Sequence, residues 1–384
     1  GGGIFDRSAK AIPLSPEMRK LLDLEGDTAS GEEVVRRILT SRVDLLYNGG
    51  IGTYVKAVSE DDSEVGDRAN DRVRVDGRDL RSKVVGEGGN LGFTQKGRLE
   101  YAAAGGLLNT DAVDNSGGVD TSDHEVNIKI LLDPLVKKGL IKGRDARNKI
   151  LAEMTGEVAA LVLADNANQA RAITLDGLRS AAHYEEFVSL VEDMAGAGIL
   201  NRVDDTIPSK DELLASPTKD RGFPRPLLAV LLGHTKMWAF EMVLESDFPD
   251  SPAGRPFLDA YFPRQLQEGF SAHFENHPLK REIIATAAVN YLVNNVGIGF
   301  LERVMAATKG GIGEVVTAYI EVDREAGAQA VRERILAAGW DAKAEQEALL
   351  EVEGILEGLV CDAVAGKKKA AAKALDPVRK RLKA

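Results

Sequence analysis

The sequence predicts an α/β part followed by an all-α part: a partial doubly wound parallel sheet, then a helical C-terminal domain. Three observations carry this expectation. Up to about residue 125 the chain is Gly-rich with short apolar periods, and beyond it Ala, Leu, Glu, Lys and Arg recur with helical period. In the first part, apolar runs ended by glycine turns alternate with helical segments, the spacing of parallel strands with crossover helices. The 384 residues suffice for two or three domains. We therefore expect one domain over 1–125 and another over 126–384.

Each element has its own reason. In Gly31–Leu39 the residues Val34, Val35, Ile38 and Leu39 fall on one face, which predicts a short helix. The apolar run 43–47 predicts a strand, ended by Asn48-Gly49-Gly50. The highly charged stretch 61–79 reads as exposed loop or frayed helix. Residues 83–87 predict a second strand, and Gly88–Gly92 a turn. Residues 94–105 predict a helix capped by Thr94. Residues 107–109 predict a short strand and 115–119 a tight glycine turn. Thr121 or Ser122 would then cap a long helix starting near Asp123. Further helices are expected over 125–135, 144–163, 183–195, 225–245, 257–275, 280–309, 313–327 and 345–364. The proline-rich stretch 204–226 reads as a linker, and the basic tail 367–384 as a solvated helical tail.

Charge and composition exclude several functions. The 49 Lys+Arg against 60 Asp+Glu give a net charge of −11, which repels phosphate backbones and anionic lipid, so we expect neither nucleic acid nor membrane as partner. Ile283–Leu301 carries no formal charge, but its three asparagines would be costly in lipid, and it reads as a buried helix. The single cysteine, Cys361, permits no intrachain disulfide and fits a reducing, cytoplasmic setting, with the thiol as apolar filler. No signal peptide is visible in the first residues.

His124-Glu125 resembles the start of a zinc-protease helix, but the second histidine that motif needs at 128 is Ile128. The five histidines show no metal-ligand spacing, so no metal is expected, and His183, His234, His273 and His277 read as structural or surface residues. Gly86-Glu87-Gly88-Gly89-Asn90-Leu91-Gly92 follows a strand and opens a helix, where backbone amides can meet a phosphate. Its spacing is one residue longer than the dinucleotide fingerprint, and a structural or ribose-contacting turn is the other reading. Asn115-Ser116-Gly117-Gly118-Val119 would lie at the carboxyl end of a strand, where ligands collect in open parallel sheets. Asn115 offers the donor and acceptor that a carboxamide needs, and Ser122 before a helix suits a carboxylate. A plain helix-capping turn explains the same residues equally well.

Asn48-Gly-Gly-Ile-Gly-Thr-Tyr54, Gly86-Glu-Gly-Gly-Asn90 and Asn115-Ser-Gly-Gly-Val-Asp-Thr-Ser122-Asp-His-Glu125, in this order, resemble the nucleotide domain of the glutamate dehydrogenases. The wording is similar to the large bacterial NAD-specific members. Arg225-Pro-Leu-Leu-Ala-Val-Leu-Leu232 and Arg281-Glu-Ile-Ile-Ala285 resemble their C-terminal region. The resemblance implies a Rossmann-like fold for the sheet and NAD as cofactor. It implies L-glutamate and 2-oxoglutarate as substrates, and a homo-oligomeric parent. By it, Asn90 would face the nicotinamide ribose, Asn115 the nicotinamide carboxamide, and Ser122 the distal carboxylate of glutamate. The turn of Asn48, Gly49, Gly50, Gly52 and Thr53 would pass the adenosine or ribose. Asn48 and Gly49 depart from the small hexameric members there, so backbone contacts are the firmer expectation.

The resemblance also implies that the phosphate-binding fingerprint, the catalytic lysine and the general acid/base aspartate lie upstream of Gly1, in a missing N-terminal portion. Lys56 and Lys83 adjoin polar loops and read as surface residues. No catalytic residue is therefore expected in this chain, and alone it should be inactive. A rival reading makes the helical part a scaffold or regulatory module for assembly. A third, an independent nucleotide-binding module, would require tight binding without a complete phosphate loop.

Overall fold

A computed structural model describes residues 2–367 and 369–383 of the chain. They form two compact units, one from the residues up to 116 with 177–230, the other from 117–176 with those from 231 onward.

The first unit begins with β1 (Ile12–Pro13), α1 (Pro16–Leu22), β2 (Thr28–Ala29) and α2 (Gly31–Leu39). β1 pairs antiparallel with β2, and Ile12, Leu14, Leu22, Leu24, Ala29 and Val34 form a small core between them and the helices. Ser15 and Ser30 cap the two helices through their hydroxyls, as the serine-before-acid pattern requires. Then follow β3 (Leu45–Asn48), β4 (Val55–Lys56), α3 (Asp62–Val65), β5 (Val75–Asp76), β6 (Val84–Glu87), α4 (Gln95–Ala103) and α5 (Asp111–Asp114). β3 pairs parallel with β6 in the register Leu45–Val84 to Asn48–Glu87, and β4 pairs parallel with β5. A second core of Leu39, Val55, Val75, Leu80, Val85, Phe93, Tyr101 and Leu108 packs under these strands.

Among the described residues the sheets are two-stranded, and β3–β6 and β4–β5 are the parallel ones. Leu107 makes a single parallel bridge to Val84 in place of the expected strand over 107–109. The charged stretch 61–79 is largely exposed, with the short helix α3 at its start, but it has a buried centre. It folds around the buried guanidinium of Arg74, which binds Asp62 and Asp71 at 2.7 Å each and donates to the Asp67 carbonyl at 2.6 Å. Part of its charge is thus paired internally, a pairing invisible to composition.

Two long helices, α6 (Ser116–Lys137) and α8 (Thr155–Ala182), continue the chain, with α7 (Gly143–Glu153) between them. α6 starts at Ser116, so the expected glycine turn at 115–119 is helical from its second residue, and Thr121 and Ser122 are interior to the helix and do not cap it. α9 (Tyr184–Gly196) and α10 (Lys210–Leu214) belong to the first unit. The proline-rich stretch around α10 is packed: Ile207, Leu213 and Phe223 are buried, and Phe223 sits edge-on to Tyr184 and Phe187.

α11 (Arg225–Glu245) matches the expected helix residue for residue. It has the length and apolarity of a membrane span, but Leu227, Leu228, Leu231 and Leu232 are core residues. α12 (Arg255–Tyr261) and α13 (Arg264–Phe270) divide the expected 257–275 helix at Phe262-Pro263. α14 (Lys280–Val296) and α15 (Phe300–Thr308) divide the 280–309 helix at Gly297, whose φ of 85° ends the first and turns the pair by 91°. The uncharged stretch Ile283–Leu301 is buried as expected. α16 (Ile312–Ala326), α17 (Ala328–Leu336), α18 (Ala342–Val364) and α19 (Asp376–Arg381) complete the chain. The tail is not merely solvated, because Ala371, Leu375 and Val378 are buried. Gly1, Lys368 and Ala384 lie outside the described residues.

Candidate functional site

In the first unit, three loops meet where β3 and β6 end. The register Asn48–Glu87 sets both carboxyl ends at one level, the position where parallel sheets bind ligands. The first loop runs from Asn48 to Thr53, the second from Glu87 to Gly92, and the third from Asn109 to Asn115.

The first two loops are stitched together. Gly89 donates its N–H to the Asn48 carbonyl at 3.0 Å, and Tyr54 donates to the Gly92 carbonyl at 2.9 Å. Thr53 is buried, and its hydroxyl donates to the Leu91 carbonyl at 2.7 Å while its N–H donates to Asp67 at 2.8 Å. A Cβ on Gly89 would lie 2.3 Å from the Gly50 carbonyl oxygen. One on Gly88 would lie 1.9 Å from the Tyr47 hydroxyl, and one on Gly92 would lie 2.1 Å from Asn48 Nδ2. The space that these glycines free is thus filled by the protein itself. Leu91 takes φ 57°, a strained left-handed conformation for a side chain of this type, and its N–H is held by Asp111 at 2.8 Å.

Beneath the second loop lies a buried ion pair that the sequence reading missed. Glu87 is fully buried and accepts from Arg98 Nε at 2.7 Å and from Nη2 at 2.9 Å. Arg98 also reaches Asp111 at 3.0 Å. Burial pushes the Glu87 carboxyl up from its ordinary value, and Arg98 opposes that shift. Asp114 accepts from the Glu87 N–H at 3.0 Å and from Asn109 at 2.7 Å, and Arg225 donates to Asn109 at 3.0 Å. The available signal was Arg98 on the inner face of a capped helix, four residues after Thr94.

The helix start behind the glycine turn is already occupied. Thr94 caps α4, accepting from the Gly97 N–H at 2.9 Å and donating to Glu60 at 2.6 Å. A carboxylate at that position repels a phosphate. The structural or ribose-contacting reading of the Gly86–Gly92 turn is therefore the one the local chemistry favours.

Among the residues singled out from sequence, Asn90 and Asn115 come together: Asn115 Nδ2 donates to Asn90 Oδ1 at 2.6 Å. That bond leaves Asn115 Oδ1 as an acceptor and Asn90 Nδ2 as a donor, the complement of a carboxamide. Asn48 Nδ2 is buried with no hydrogen-bond partner, a donor waiting for an acceptor. Ser122 lies in the other unit, exposed within α6. Lys83 is exposed and paired with Asp44. Lys56 is not a surface residue: its side chain is 15% exposed and bound to Asp76 at 2.7 Å. Burial pushes the Cys361 thiol up, which suits an inert thiol.

Two family profiles match the chain. Bacterial NAD-glutamate dehydrogenase, catalytic domain, covers residues 1–176, and glutamate dehydrogenase, C-terminal, covers residues 220–366. The chain is 45% identical over 320 residues to an NAD-specific glutamate dehydrogenase of Halomonas elongata, spanning 83% of this chain and 20% of that protein. It is 44% identical over 322 residues to that of Pseudomonas aeruginosa, spanning 84% of this chain and 20% of that protein. With that of Mycobacterium tuberculosis it shares 40% over 363 residues, spanning 93% and 22%. The chain thus spans about a fifth of the length of the curated relatives it matches.

Proposed function

Because the chain belongs to the bacterial NAD-glutamate dehydrogenase family, we propose that it works as part of an enzyme that oxidises L-glutamate to 2-oxoglutarate and ammonia. When bound, NAD would accept the hydride from the substrate Cα. The chain's share is positioning. The observation that carries this reading is the Asn90–Asn115 pair, which presents one free amide oxygen and one free amide nitrogen at the carboxyl end of parallel strands.

In this reading Asn115 and Asn90 take the nicotinamide carboxamide and its ribose. The turn of Asn48, Gly49, Gly50, Gly52 and Thr53 passes the adenosine or ribose through its backbone. Ser122, exposed on α6, takes the distal carboxylate of glutamate. Residues 1–125 would be half of a doubly wound nucleotide domain and 126–384 the helical domain. The catalytic lysine and the general acid/base would come from other parts of the enzyme. β3 supports this incompleteness. Among the described residues it is hydrogen-bonded on one side only, and its Leu45 and Tyr47 expose apolar surface. We assign that edge to the rest of a cytoplasmic, homo-oligomeric enzyme.

The test is steady-state kinetics of the full-length parent carrying Asn115→Ala or Ser122→Ala. Asn115→Ala should raise KM for NAD roughly tenfold, the loss expected from about one or two hydrogen bonds. Ser122→Ala should raise KM for glutamate and leave KM for NAD unchanged. An Asn115→Ala enzyme with an unaltered KM for NAD overturns the assignment. The 384-residue chain alone should show no turnover.

A further inference from the structure

In the unit formed by 117–176 and 231–384, α6 and α8 bring Asp120, His124 and Asp165 together, with one ligand atom of each within 4.8 Å of the others. Asp120 and His124 stand one helical turn apart, His124 Nε2 lying 3.8 Å from Asp120 Oδ1. Donors on one ion at about 2.0–2.2 Å lie about 3–4 Å from each other, so the first two donors are already at that spacing. Asp165 would close by about 1 Å. The Tyr261 ring stacks on the imidazole with centroids 4.5 Å apart, and Asn127 donates to the Tyr261 hydroxyl at 2.8 Å, which fixes the plane of the ring.

The polar atoms at this place are conspicuously unsatisfied. Asp120 Oδ2, His124 Nδ1 and Lys236 Nζ are buried without a hydrogen-bond partner. Among the described residues only Asn48 Nδ2 and Asn294 Oδ1 share that state. His124 is 3% exposed. Three unpartnered buried polar atoms on neighbouring side chains mark this place as polar without an internal hydrogen-bond network to explain it. Lys236 faces Asp165, while Asp120 and Asp123 add two further carboxylates, so the group is short of positive charge. Burial and the neighbouring Asp120 push the Asp165 carboxyl up to about 6, with Lys236 opposing, and burial pushes Lys236 down to about 7.

We propose that Asp120, His124 and Asp165 hold a divalent first-row transition-metal ion, and that the Lys236 amine stands beside the site as its built-in competitor. One imidazole with two carboxylates suits zinc or manganese better than the all-oxygen shells of calcium or magnesium. The ion would supply the missing positive charge and tie α6 to α8. This site is separate from the proposed role of Ser122, which lies about half a turn around α6 from Asp120 and His124 and is exposed. Linear spacing could not reveal it, because the third ligand and the lysine come from later helices.

The test is calorimetric titration of the chelator-stripped protein with Zn²⁺ and, separately, with Mn²⁺. One equivalent should bind. Asp165→Asn should weaken that binding by more than about a hundredfold, and Lys236→Met should tighten it by about tenfold. Equal affinity in the wild type and Asp165→Asn, or in the wild type and Lys236→Met, overturns the proposal. X-ray absorption on the zinc-loaded wild type needs no variant. One imidazole nitrogen with oxygen donors supports the site, and a sulfur donor or several imidazoles refutes it.

Discussion

Removing Arg98 tests whether the buried ion pair under the 87–92 loop holds the candidate cofactor site together. Glu87 is fully buried, takes two bonds from Arg98 at 2.7 and 2.9 Å, and has Asp111 and Asp114 nearby. Arg98→Met keeps most of the volume and strips the charge. It leaves one carboxylate buried and a second, Asp111, without its cation. Breaking a buried pair from one side costs about 3–5 kcal/mol. Replacing both partners, Glu87→Met with Arg98→Met, removes the stranded charge and should recover about 1–3 kcal/mol of that loss. Urea denaturation followed by far-ultraviolet circular dichroism measures both. The pH dependence has a definite sign. Burial already raises the Glu87 carboxyl in the folded state, so between its unfolded and folded values the native protein binds more protons than the unfolded chain. Stability carried by this group therefore falls as pH rises, and without Arg98 the effect is larger. The Arg98→Met penalty should be greater near pH ~8 than near pH ~5. A loss below about 1 kcal/mol, or a double variant weaker than the sum of the singles, refutes this account.

Gly89→Ala would place a methyl 2.3 Å from the Gly50 carbonyl oxygen, a clash with backbone. It should cost about 2–3 kcal/mol in denaturant melts and raise the KM of the full-length enzyme for NAD. His277 is bonded as a neutral ring, Nε2 donating to the Asn127 carbonyl at 3.0 Å and Nδ1 accepting from the Leu279 N–H at 3.1 Å, and burial lowers its proton affinity. The unfolded chain therefore takes up the proton first as pH falls below about 6.5, and its share of stability is lost down to the folded value. Melting temperature against pH should show this slope in the wild type and lose it in His277→Gln. Arg332 joins Glu353 at 2.6 Å, Asp323 at 2.6 Å and the Tyr291 and Tyr319 hydroxyls at 3.0 Å each, all within one helical unit. Arg332→Met strands two buried carboxylates and should cost about 3–5 kcal/mol, read from the fluorescence of Trp238 and Trp340 in the same unit.

Where the sequence spoke through local chemistry, it was legible. Ser30 before Gly31, Thr94 before Gln95 and the apolar run after Arg225 mark helices that the structure contains. Glycine and proline marked ends less reliably than they marked bends. Gly297 and Pro263 fall inside stretches whose apolar period continues across them, so each break is invisible to periodicity. Gly117 and Gly118 did the reverse. Each weakens a helix by about 1 kcal/mol relative to Ala, which reads as a turn, yet both lie within α6. The stretch 61–79 was opaque for a further reason: Asp62 and Asp71 pair with the buried Arg74, and composition cannot distinguish paired charge from solvated charge.

The same distinction governs the candidate site. A Gly-x-Gly turn between strand and helix announces that something approaches the backbone closely, but not what. Here the approaching groups are the Gly50 carbonyl, the Tyr47 hydroxyl and the Asn48 amide, from β3 and the loop that follows it. The helix behind the turn is capped by Thr94 with Glu60 beside it, so its amides do not await an anion. Close packing of two loops, rather than a phosphate, explains the glycines. What that packing produces is a rigid ledge. Asp111 pins Leu91 in its strained conformation, the Glu87–Arg98 pair holds the loop from below, and Asn90 is thereby set against Asn115. In the proposed enzyme the glycines therefore serve the cofactor indirectly. They let the loops close so that two asparagines, far apart in sequence, stand side by side, Asn115 for the carboxamide and Asn90 for the ribose.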